Sequence, residues 1–332
     1  MRDVAALAGV SLKTVSRVIN GAVTVDPELA VRVNRAAAAL DYRPNLTARS
    51  LRSGSGRTRT IGVLLENIAN PFSSTMHRAI EDAAGARSIA VLAASLDEDP
   101  RRERTLALAL TSRRVDGLIV VPAGDDQSYL ANEQRSGLSI VFADRPPSLL
   151  RADYVSSDNP GGAAIGVTHL IDSAHRRIAF LGDRHSIATA RERFNGYRAA
   201  LTRAGIEYDE ALVRWDLHDE ETALEATREL LQRQPGPTAL FTSQNLITIG
   251  AIRALRALGL EHHVALVGFD DLPLSDLLNP AVTVVAQDPA AIGTSASELL
   301  FSRMDGDDSP PRLRTIQTRL LIRGSGEIPP SH

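Results

Sequence analysis

The chain has 332 residues, of which 43% are hydrophobic and 23% are charged, a balance typical of ordinary globular proteins. It contains no cysteine, which excludes disulfides, thiol catalysis and thiolate metal sites and is compatible with a reducing cytoplasm. No uninterrupted apolar run of about 18 residues occurs, so we expect no membrane span. The N-terminal sequence MRDVAALAGVSLKT lacks a long apolar core and a cleavage-like site, so we expect no secretory signal peptide.

The charge of the chain is unevenly distributed. Residues 1–60 hold ten basic and four acidic side chains, a net charge of +6, whereas the remainder holds 27 basic and 36 acidic side chains, a net charge of −9. A basic head on an acidic body indicates that the head contacts a polyanion and the body does not. A solvated charged surface would give the same numbers, so charge alone leaves both interpretations open.

The head is predicted to contain three short helices. Residues 3–8 form the first, which Gly9 ends because glycine adopts positive φ at little cost. Ser11 is a suitable cap for a second helix over residues 12–20. The sequence Asp26-Pro27-Glu28 then supplies a cap, a proline at the first helical position and an acidic first turn. Two short helices joined by a tight glycine turn predict an all-α helix-turn-helix head.

The second helix combines a buried face with a polar one. Val15, Val18 and Ile19 are apolar at helical spacing, and Lys13 on the polar side is the only lysine of the chain. Lysine and arginine can donate to guanine O6 and N7, and serine and threonine to bases or phosphates. An ordinary solvated helix face is the alternative. The predicted DNA-binding residues of this helix are Ser11, Lys13, Thr14, Ser16, Arg17 and Asn20.

Two motifs in the head resemble those of a known family. The segment AALAGVSLKTVSRVING, followed by LDYRPNLTARSLRSG, resembles the DNA-binding head of the lactose-repressor (LacI/GalR) family, with its patterns VAxxAGVSxxTVSRVLN and LxYxPNxxARxLxxG. The match covers nearly all of residues 3–54. Members of the family usually carry a few more residues before the first helix. The resemblance implies a ligand-responsive transcription regulator that binds a pseudo-palindromic operator as a homodimer.

The second motif implies a hinge helix that orders on operator binding. The resemblance assigns Asn45 as its cap, Ala48 as a small residue that permits close approach, and Leu51 as the leucine that wedges into the minor groove. Residues 53–60, SGSGRTRT, have the composition of a linker, and a plain linker is the alternative for the whole segment. We therefore expect a DNA-binding domain over residues 1–44, a hinge and linker over residues 45–59, and a body over residues 60–332.

The body alternates apolar strand-like runs with amphipathic helix-like runs. TIGVLLEN, VDGLIVVPA, LSIVFADR, RRIAFLGD, TALFTSQN and VALVGFDD are such runs, and each is adjacent to a helical stretch. Continuous apolar strands between helices predict parallel sheets covered on both faces. The series is too long for one sheet of usual size, so we expect two α/β lobes with a boundary near residues 156–162. This body resembles that of periplasmic binding proteins through about residue 325.

Ligands of such sheets bind in the crevice at the carboxyl ends of the strands, so polar residues there are the candidates. Asn70, Phe72 and Ser73 resemble the family's NPFF segment, and Arg193 matches the arginine of its RxxG element. A charged Arg193–Asp270 pair fits the pattern, whereas Asp158 could instead cap a helix. The predicted effector-binding residues are Asn70, Phe72, Asp144, Arg145, Asp158, Arg193, Trp215, Gln244, Asn245, Asp270 and Gln287.

The resemblance implies an effector that is a sugar or a related metabolite. Carboxylates, amides and guanidinium groups hold its hydroxyls, and an aromatic ring covers its apolar face. The family commonly has Asn-Asp where this chain has Gln244-Asn245, so an amide replaces a carboxylate. Only 4% of residues are aromatic, and Ser73 replaces a phenylalanine. Whether the effector is a simple hexose stays open.

Two other classes of protein compete with a DNA-binding regulator. A stand-alone solute receptor predicts a signal peptide and no basic head. An α/β enzyme predicts a nucleophile or phosphate motif, and the chain contains no GxSxG, GxxxxGK[ST] or HExxH. Its histidines lack metal-ligand spacing, so we expect no metal and no cofactor. The sequence therefore favours a cytoplasmic regulator that dimerises through both lobes and has no catalytic residues.

Overall fold

The computed structural model describes residues 1–19, 25–42 and 57–330. The chain divides into two compact units, Met1–Thr58 and Arg59–His332, which we call the head and the body. None of the helices in these residues is both long and apolar enough to cross a membrane.

The head contains three helices around a small core. They are α1 (Arg2–Ala8), α2 (Leu12–Ile19) and α3 (Pro27–Ala39). Gly9 ends α1 with a φ of 60°, a conformation that glycine adopts without a steric penalty. Asp26 caps α3 by accepting a hydrogen bond from the Glu28 N–H at 2.8 Å. The predicted helix-turn-helix is confirmed.

One valine from each helix closes the core of the head. Val4, Val15 and Val33 are at most 1% exposed, so the three helices share one apolar contact region. Arg32 of α3 also donates to the carbonyl oxygen of Ala8 at 2.6 Å. This bond satisfies one of the free carbonyls at the end of α1.

The body consists of two lobes, each built on a six-stranded sheet. The strands of lobe 1 are β1 (Thr60–Leu65), β2 (Ala90–Ser95), β3 (Gly117–Val120), β4 (Ser139–Ala143), β5 (Asp153–Ser157) and β11 (Leu313–Ile316). Those of lobe 2 are β6 (Ile178–Leu181), β7 (Val213–Arg214), β8 (Ala239–Thr242), β9 (Ala265–Phe269), β10 (Thr283–Ala286) and β12 (Arg319–Leu321). The strand orders are β11-β5-β4-β3-β1-β2 and β12-β10-β9-β8-β6-β7. All neighbours are parallel except β10 and β12, which confirms the predicted parallel-rich α/β body.

Helices cover both faces of each sheet, which explains why the central strands are apolar throughout. In lobe 1 they are α4 (Pro71–Ala86), α5 (Pro100–Ser112), α6 (Ala131–Arg135) and α11 (Pro289–Met304). In lobe 2 they are α7 (Asn159–Asp172), α8 (Ala188–Arg203), α9 (Glu220–Leu231) and α10 (Asn245–Leu258). Helices α4 and α11 enclose one core of lobe 1, and α5 encloses the other. Helices α7 and α8 cover one face of the second sheet, and α9 and α10 the opposite face.

The chain passes between the lobes three times. The first crossing joins β5 to α7, the second joins β10 to α11, and the third joins β11 to β12. The boundary expected near residues 156–162 therefore coincides with the first crossing only. The other two arise because α11 and β11 return to pack on lobe 1.

Candidate functional site

Helix α2 presents the polar face expected of a DNA-contacting helix. Ser11, Lys13 and Arg17 are exposed, whereas Val15 on the opposite side is fully buried. Ser11 Oγ accepts a hydrogen bond from the Thr14 N–H at 3.1 Å and so caps the helix. The apolar side of α2 thus packs into the core of the head, and its opposite side carries exposed cationic side chains.

The remaining predicted DNA-binding residues are only partly within the described structure. Thr14 and Ser16 are half-buried on α2. Asn20 and the hinge residues Asn45, Ala48 and Leu51 fall outside the described residues. Their roles stay predictions.

A polar cavity lies between the two lobes. Its empty volume is about 560 Å³, part of which is open to solvent. The cavity is lined by Glu66, Asn70, Phe72, Ser73, Met76, Glu98, Val121, Asp144, Arg145, Asp183, Thr189, Arg193, His218, Gln244, Asn245, Leu246, Asp270 and Gln287. A concave, partly open space with convergent polar side chains is typical of a small-molecule site.

The parallel arrangement of the strands explains why these side chains meet. Glu66 directly follows β1, Asp144 directly follows β4, and Asp270 directly follows β9. The carboxyl ends of parallel strands share one edge of a sheet, and these edges of the two lobes face the same cavity. Gln287 follows β10 at the second crossing between the lobes.

An amide pair joins the lobes across the cavity. Asn245 Nδ2 of lobe 2 donates to Asn70 Oδ1 of lobe 1 at 2.8 Å, and Asn70 Nδ2 donates to Asn245 Oδ1 at 3.4 Å. Asn70 also caps α4 by accepting from the Phe72 N–H at 3.0 Å. Asn245 Oδ1 accepts from the Leu246 N–H at the start of α10. Two helix N-termini are therefore held against each other at the cavity wall.

Arg145 is held by groups of its own lobe. Its two Nη atoms donate to the Glu98 carboxylate at 2.5 and 2.7 Å, and Nη1 also donates to the Pro122 carbonyl oxygen at 3.0 Å. The Glu98 side chain is 3% exposed. Bidentate pairing of this kind fixes both side chains and holds the pKa of Arg145 above its usual range. Arg145 thus lines the cavity with its charge already balanced by Glu98.

Arg193 does not form the ion pair with Asp270 that the sequence suggested. Its Nε donates to Asn159 Oδ1 at 2.8 Å and its Nη1 donates to the Ser243 carbonyl oxygen at 2.6 Å. The guanidinium also lies over the Phe269 ring, 4.0 Å from the centroid. Asp270 instead accepts from Gln287 Nε2 at 2.5 Å. Within the described residues, the Arg193–Asp270 prediction is therefore wrong, because other partners orient both side chains.

Asp183 and His218 form a second polar pair at the lobe 2 wall. His218 Nδ1 lies 2.9 Å from Asp183 Oδ1, which also accepts from the Arg184 N–H. The hydrogen bond to Asp183 raises the pKa of His218 above that of a free histidine. This pair adds an ionisable centre to a cavity already rich in carboxylates.

Two carboxylates of lobe 1 lie in an unfavourable electrostatic environment. Burial, reinforced by the Glu98 charge, raises the pKa of Glu66 to about 7. Burial also raises the pKa of Asp144, although Arg145 Nε lies 3.6 Å from Asp144 Oδ2. Asp144 Oδ1 has no hydrogen-bond partner within the described residues. Both carboxylates would be stabilised by a donor or a cation inside the cavity.

The structure does not bring Asp158 and Trp215 to the cavity wall. Asp158 Oδ1 accepts from the Gly161 N–H at 2.9 Å, so its carboxylate caps α7. Trp215 packs edge-on against Phe194, with ring centroids 4.9 Å apart, in an aromatic cluster of lobe 2. Local capping and aromatic packing explain both positions. The other predicted effector-binding residues, together with Ser73, line the cavity.

Sequence reasoning missed Glu66, Glu98, Asp183 and His218. Glu66 and Asp183 end the runs TIGVLLEN and RRIAFLGD as closely as Asp144 ends its own, so their strand-end position was a usable signal. Glu98 lies on a loop with φ of 56°, and His218 follows the two-residue strand β7. No local sequence pattern identifies Glu98 or His218 as a cavity residue.

Comparison with known proteins connects both units to one group of regulators. Residues 1–45 match the family of bacterial regulatory proteins called the lacI family, and residues 167–326 match a periplasmic binding protein-like domain. The chain is 35% identical to the HTH-type transcriptional regulator CelR of Thermobifida fusca, in an alignment covering 97% of each chain.

Two solved structures extend the similarity to the fold. The lac repressor dimer bound to operator and the anti-inducer ONPF matches with a TM-score of 0.86 and 28% identity, over 98% of each chain. The complex of the transcriptional regulator CelR with cellobiose matches with a TM-score of 0.74 and 32% identity, over 97% of this chain and 98% of that one. The similarity therefore includes both the head and the body.

Replacement of Glu66 by glutamine tests the electrostatic environment of the cavity. Since the folded pKa of Glu66 is raised, folded protein binds more protons than unfolded protein between about pH 4.5 and 7, and stability falls as pH rises through this window. We expect Glu66→Gln to raise the Tm by about 2 °C or more at pH 8 and by less at pH 5. Scanning calorimetry at both pH values measures this, with exposed Glu207→Gln as the control. An equal change at both pH values would contradict it.

Proposed function

The chain belongs to the lacI family of bacterial regulatory proteins, and on this premise we propose that it is a sequence-specific transcriptional repressor controlled by a small-molecule effector bound between the two lobes. The family consists of DNA-binding regulators rather than enzymes. The protein acts in the cytoplasm, on a pseudo-palindromic operator, and its effector is a carbohydrate or a related metabolite.

One observation supports this function above the alternatives. The same chain joins a helix-turn-helix whose second helix exposes Lys13 and Arg17 to a two-lobed body with a polar cavity. A solute receptor needs only the body, and an α/β enzyme has no use for the cationic helix. Neither alternative accounts for a net charge of +6 over residues 1–60 and of −9 over the remainder of the chain.

Contacts from α2 give the DNA affinity in this proposal. The N-terminal side chains of a recognition helix face base edges in the major groove, and its cations also neutralise phosphates. Lys13 places a flexible ammonium at the first turn of α2, and Arg17 supplies a planar donor one turn later. The residues of the predicted hinge add minor-groove contacts.

Effector control in this proposal depends on movement of the two lobes, which are connected by three chain crossings. A ligand that binds between the lobes changes the equilibrium between cleft conformations by its difference in affinity for them. In the proposed mechanism, that difference is transmitted to the hinge and alters operator affinity. Asp270 and Arg193 contribute from lobe 2, and Asp144 and Asn70 from lobe 1.

Homodimerisation is proposed through both lobes, because each exposes large apolar side chains. Leu92 of lobe 1 is 40% exposed, and Leu274 and Leu277 of lobe 2 are 67% and 74% exposed. Leu92 lies on β2, an edge strand of its sheet, and edges of this kind pair or are covered. A twofold dimer presents two heads to two operator half-sites.

Substitutions on α2 test the DNA contact. We expect Lys13→Ala and Arg17→Ala each to weaken binding to the selected operator by about tenfold or more, and to reduce the slope of log K against log salt by about 1. Fluorescence anisotropy at several salt concentrations, on a duplex selected from a random library, measures both. Arg203→Ala, which removes an exposed cation from the body, is the matched control. An unchanged affinity and salt slope for Arg17→Ala would exclude its groove placement.

Substitutions at the cavity test the effector site. Any carbohydrate that raises the Tm by mass action identifies a ligand in a thermal-shift screen. We expect Arg193→Ala and Asp270→Ala to abolish that shift while operator binding without ligand stays unchanged, because neither side chain belongs to the head. Retention of the full shift in both variants would place the effector elsewhere.

A charge at the apolar surface tests the dimer. We expect Leu92→Asp and Leu277→Asp to convert the dimer to monomer at micromolar concentration, because each would bury an unpaired carboxylate in the interface. Light scattering after size-exclusion chromatography measures the mass. Leu149→Asp alters a leucine that is also 74% exposed and serves as the control. A loss of dimer in the control alone would point to a different interface.

A further inference from the structure

Carboxylates predominate among the charged groups of the cavity between the lobes. Two guanidinium groups line it, those of Arg145 and Arg193, together with His218. The carboxylates that line it are those of Glu66, Glu98, Asp144, Asp183 and Asp270. A neutral sugar requires hydrogen-bond acceptors, but it does not require an excess of negative charge.

The cationic side chains of the cavity reduce this excess but do not remove it. Arg145 is paired in bidentate fashion with Glu98, and Arg193 is oriented by Asn159, the Ser243 carbonyl oxygen and the Phe269 ring. The charge of Arg145 therefore balances Glu98, His218 pairs with Asp183, and among the described residues only Arg193 is left to offset Glu66, Asp144 and Asp270. The other carboxylates remain in excess over the cations around them.

Asp144 independently indicates that a donor belongs in the cavity. The residue is 7% exposed, and its Oδ1 has no hydrogen-bond partner within the described residues. A buried polar atom without a partner is destabilising unless a ligand or water supplies the bond. Asp144 lines the cavity, so a bound ligand can reach this oxygen.

Glu66 also lines the cavity and lies near charged groups of both lobes. The charged and titratable groups around it are Glu98 and Arg145 of lobe 1 and Asp183 and His218 of lobe 2. Burial and the Glu98 charge raise the pKa of Glu66 to about 7. The described side chains thus leave its negative charge poorly compensated, and a cation placed there would stabilise it.

The lining of the cavity suits an organic cation better than a metal ion. No group of three or more histidine, aspartate or glutamate side chains in the described part of the chain has the geometry to hold a metal ion. The cavity also contains several neutral polar side chains that suit hydroxyl groups, namely Asn70, Thr189, Gln244, Asn245 and Gln287. A ligand that satisfies both features carries several hydroxyls and a positive charge.

We propose that the effector is a polyhydroxylated compound bearing a protonated amine, of the amino-sugar class, whose ammonium binds at the acidic group of Glu66, Glu98, Asp144 and Asp183. This inference rests on the proposed function and specifies the ligand class of the same cavity. The amide side chains bind the hydroxyls, and the ammonium donates to Glu66 and to the unpartnered oxygen of Asp144. A phosphorylated or carboxylated sugar is repelled by the same carboxylates.

Matched ligands test the charge preference directly. The full chain is titrated by calorimetry with D-glucose, D-glucosamine and D-gluconate, and with the corresponding galactose and mannose sets. We expect an amine to bind about tenfold or more tightly than its hydroxyl parent, the scale of a charge-assisted hydrogen bond, and the acids not to bind. A hydroxyl parent that equals its amine, an acid that binds, or a panel in which no amine binds overturns the inference.

Variants then locate the ammonium. We expect Glu66→Gln and Asp144→Asn each to reduce amine affinity about tenfold more than they reduce the affinity for the hydroxyl parent, because only the amine forms a charge-assisted hydrogen bond with these side chains. Glu207→Gln, an exposed carboxylate outside the cavity, alters neither. Equal losses for amine and parent would indicate a general structural role and overturn the assignment of these carboxylates.

A parallel assay separates this inference from the proposed function. Selection of duplexes from a random library by the full chain reports DNA recognition without reference to the cavity. A chain that selects an operator but binds no amine contradicts the ligand class alone. A chain that selects no duplex contradicts the repressor function, even if the cavity binds an amine.

Discussion

The amide pair between Asn70 and Asn245 is the contact on which the geometry of the site depends. It joins side chains that are 175 residues apart in sequence and belong to different lobes. Each amide is also hydrogen-bonded at the start of a helix, α4 or α10, so the pair holds two rigid elements rather than two mobile side chains. Two such bonds stabilise the closed arrangement by about 1 kcal/mol each, which a ligand can readily exceed. The lobes can therefore be held together by this pair and still separate at a modest cost in free energy.

Much of the cavity follows from rules that apply to any parallel sheet. The positions of Asp144 and Asp270 could be predicted from sequence because each directly follows an apolar run, and the chain direction of parallel strands brings those ends together. Glu66 directly follows β1, so the same strand-end rule also applies to it. The helices of the head could also be predicted from sequence. Gly9 and Asp26 are residue types favoured at the end and at the start of a helix, and they occupy those positions in α1 and α3.

The rest of the site depends on interactions that sequence does not encode locally. Asp158 is at a strand end, yet its carboxylate is engaged by the Gly161 N–H before any ligand is present. Trp215, the only tryptophan, packs against Phe194 and Phe180 and therefore does not line the cavity. Glu98 reaches Arg145 from a loop 47 residues earlier in the chain. In each case the position of the side chain depends on which of several possible partners it contacts. Those partners come together only in the folded structure.

The electrostatics of the cavity relate ligand chemistry to conformational control. Burial of carboxylates at the cavity raises the free energy of the folded arrangement, as the raised pKa values of Glu66 and Asp144 indicate. Of the lobe 2 groups near Glu66, His218 lowers its pKa and Asp183 raises it, so the penalty on Glu66 comes mainly from burial and from Glu98 of its own lobe. In the proposal, a cationic ligand offsets this penalty and so favours the arrangement in which both lobes surround it. A difference in affinity between arrangements, and not affinity alone, is what allows an effector to shift a regulator between states.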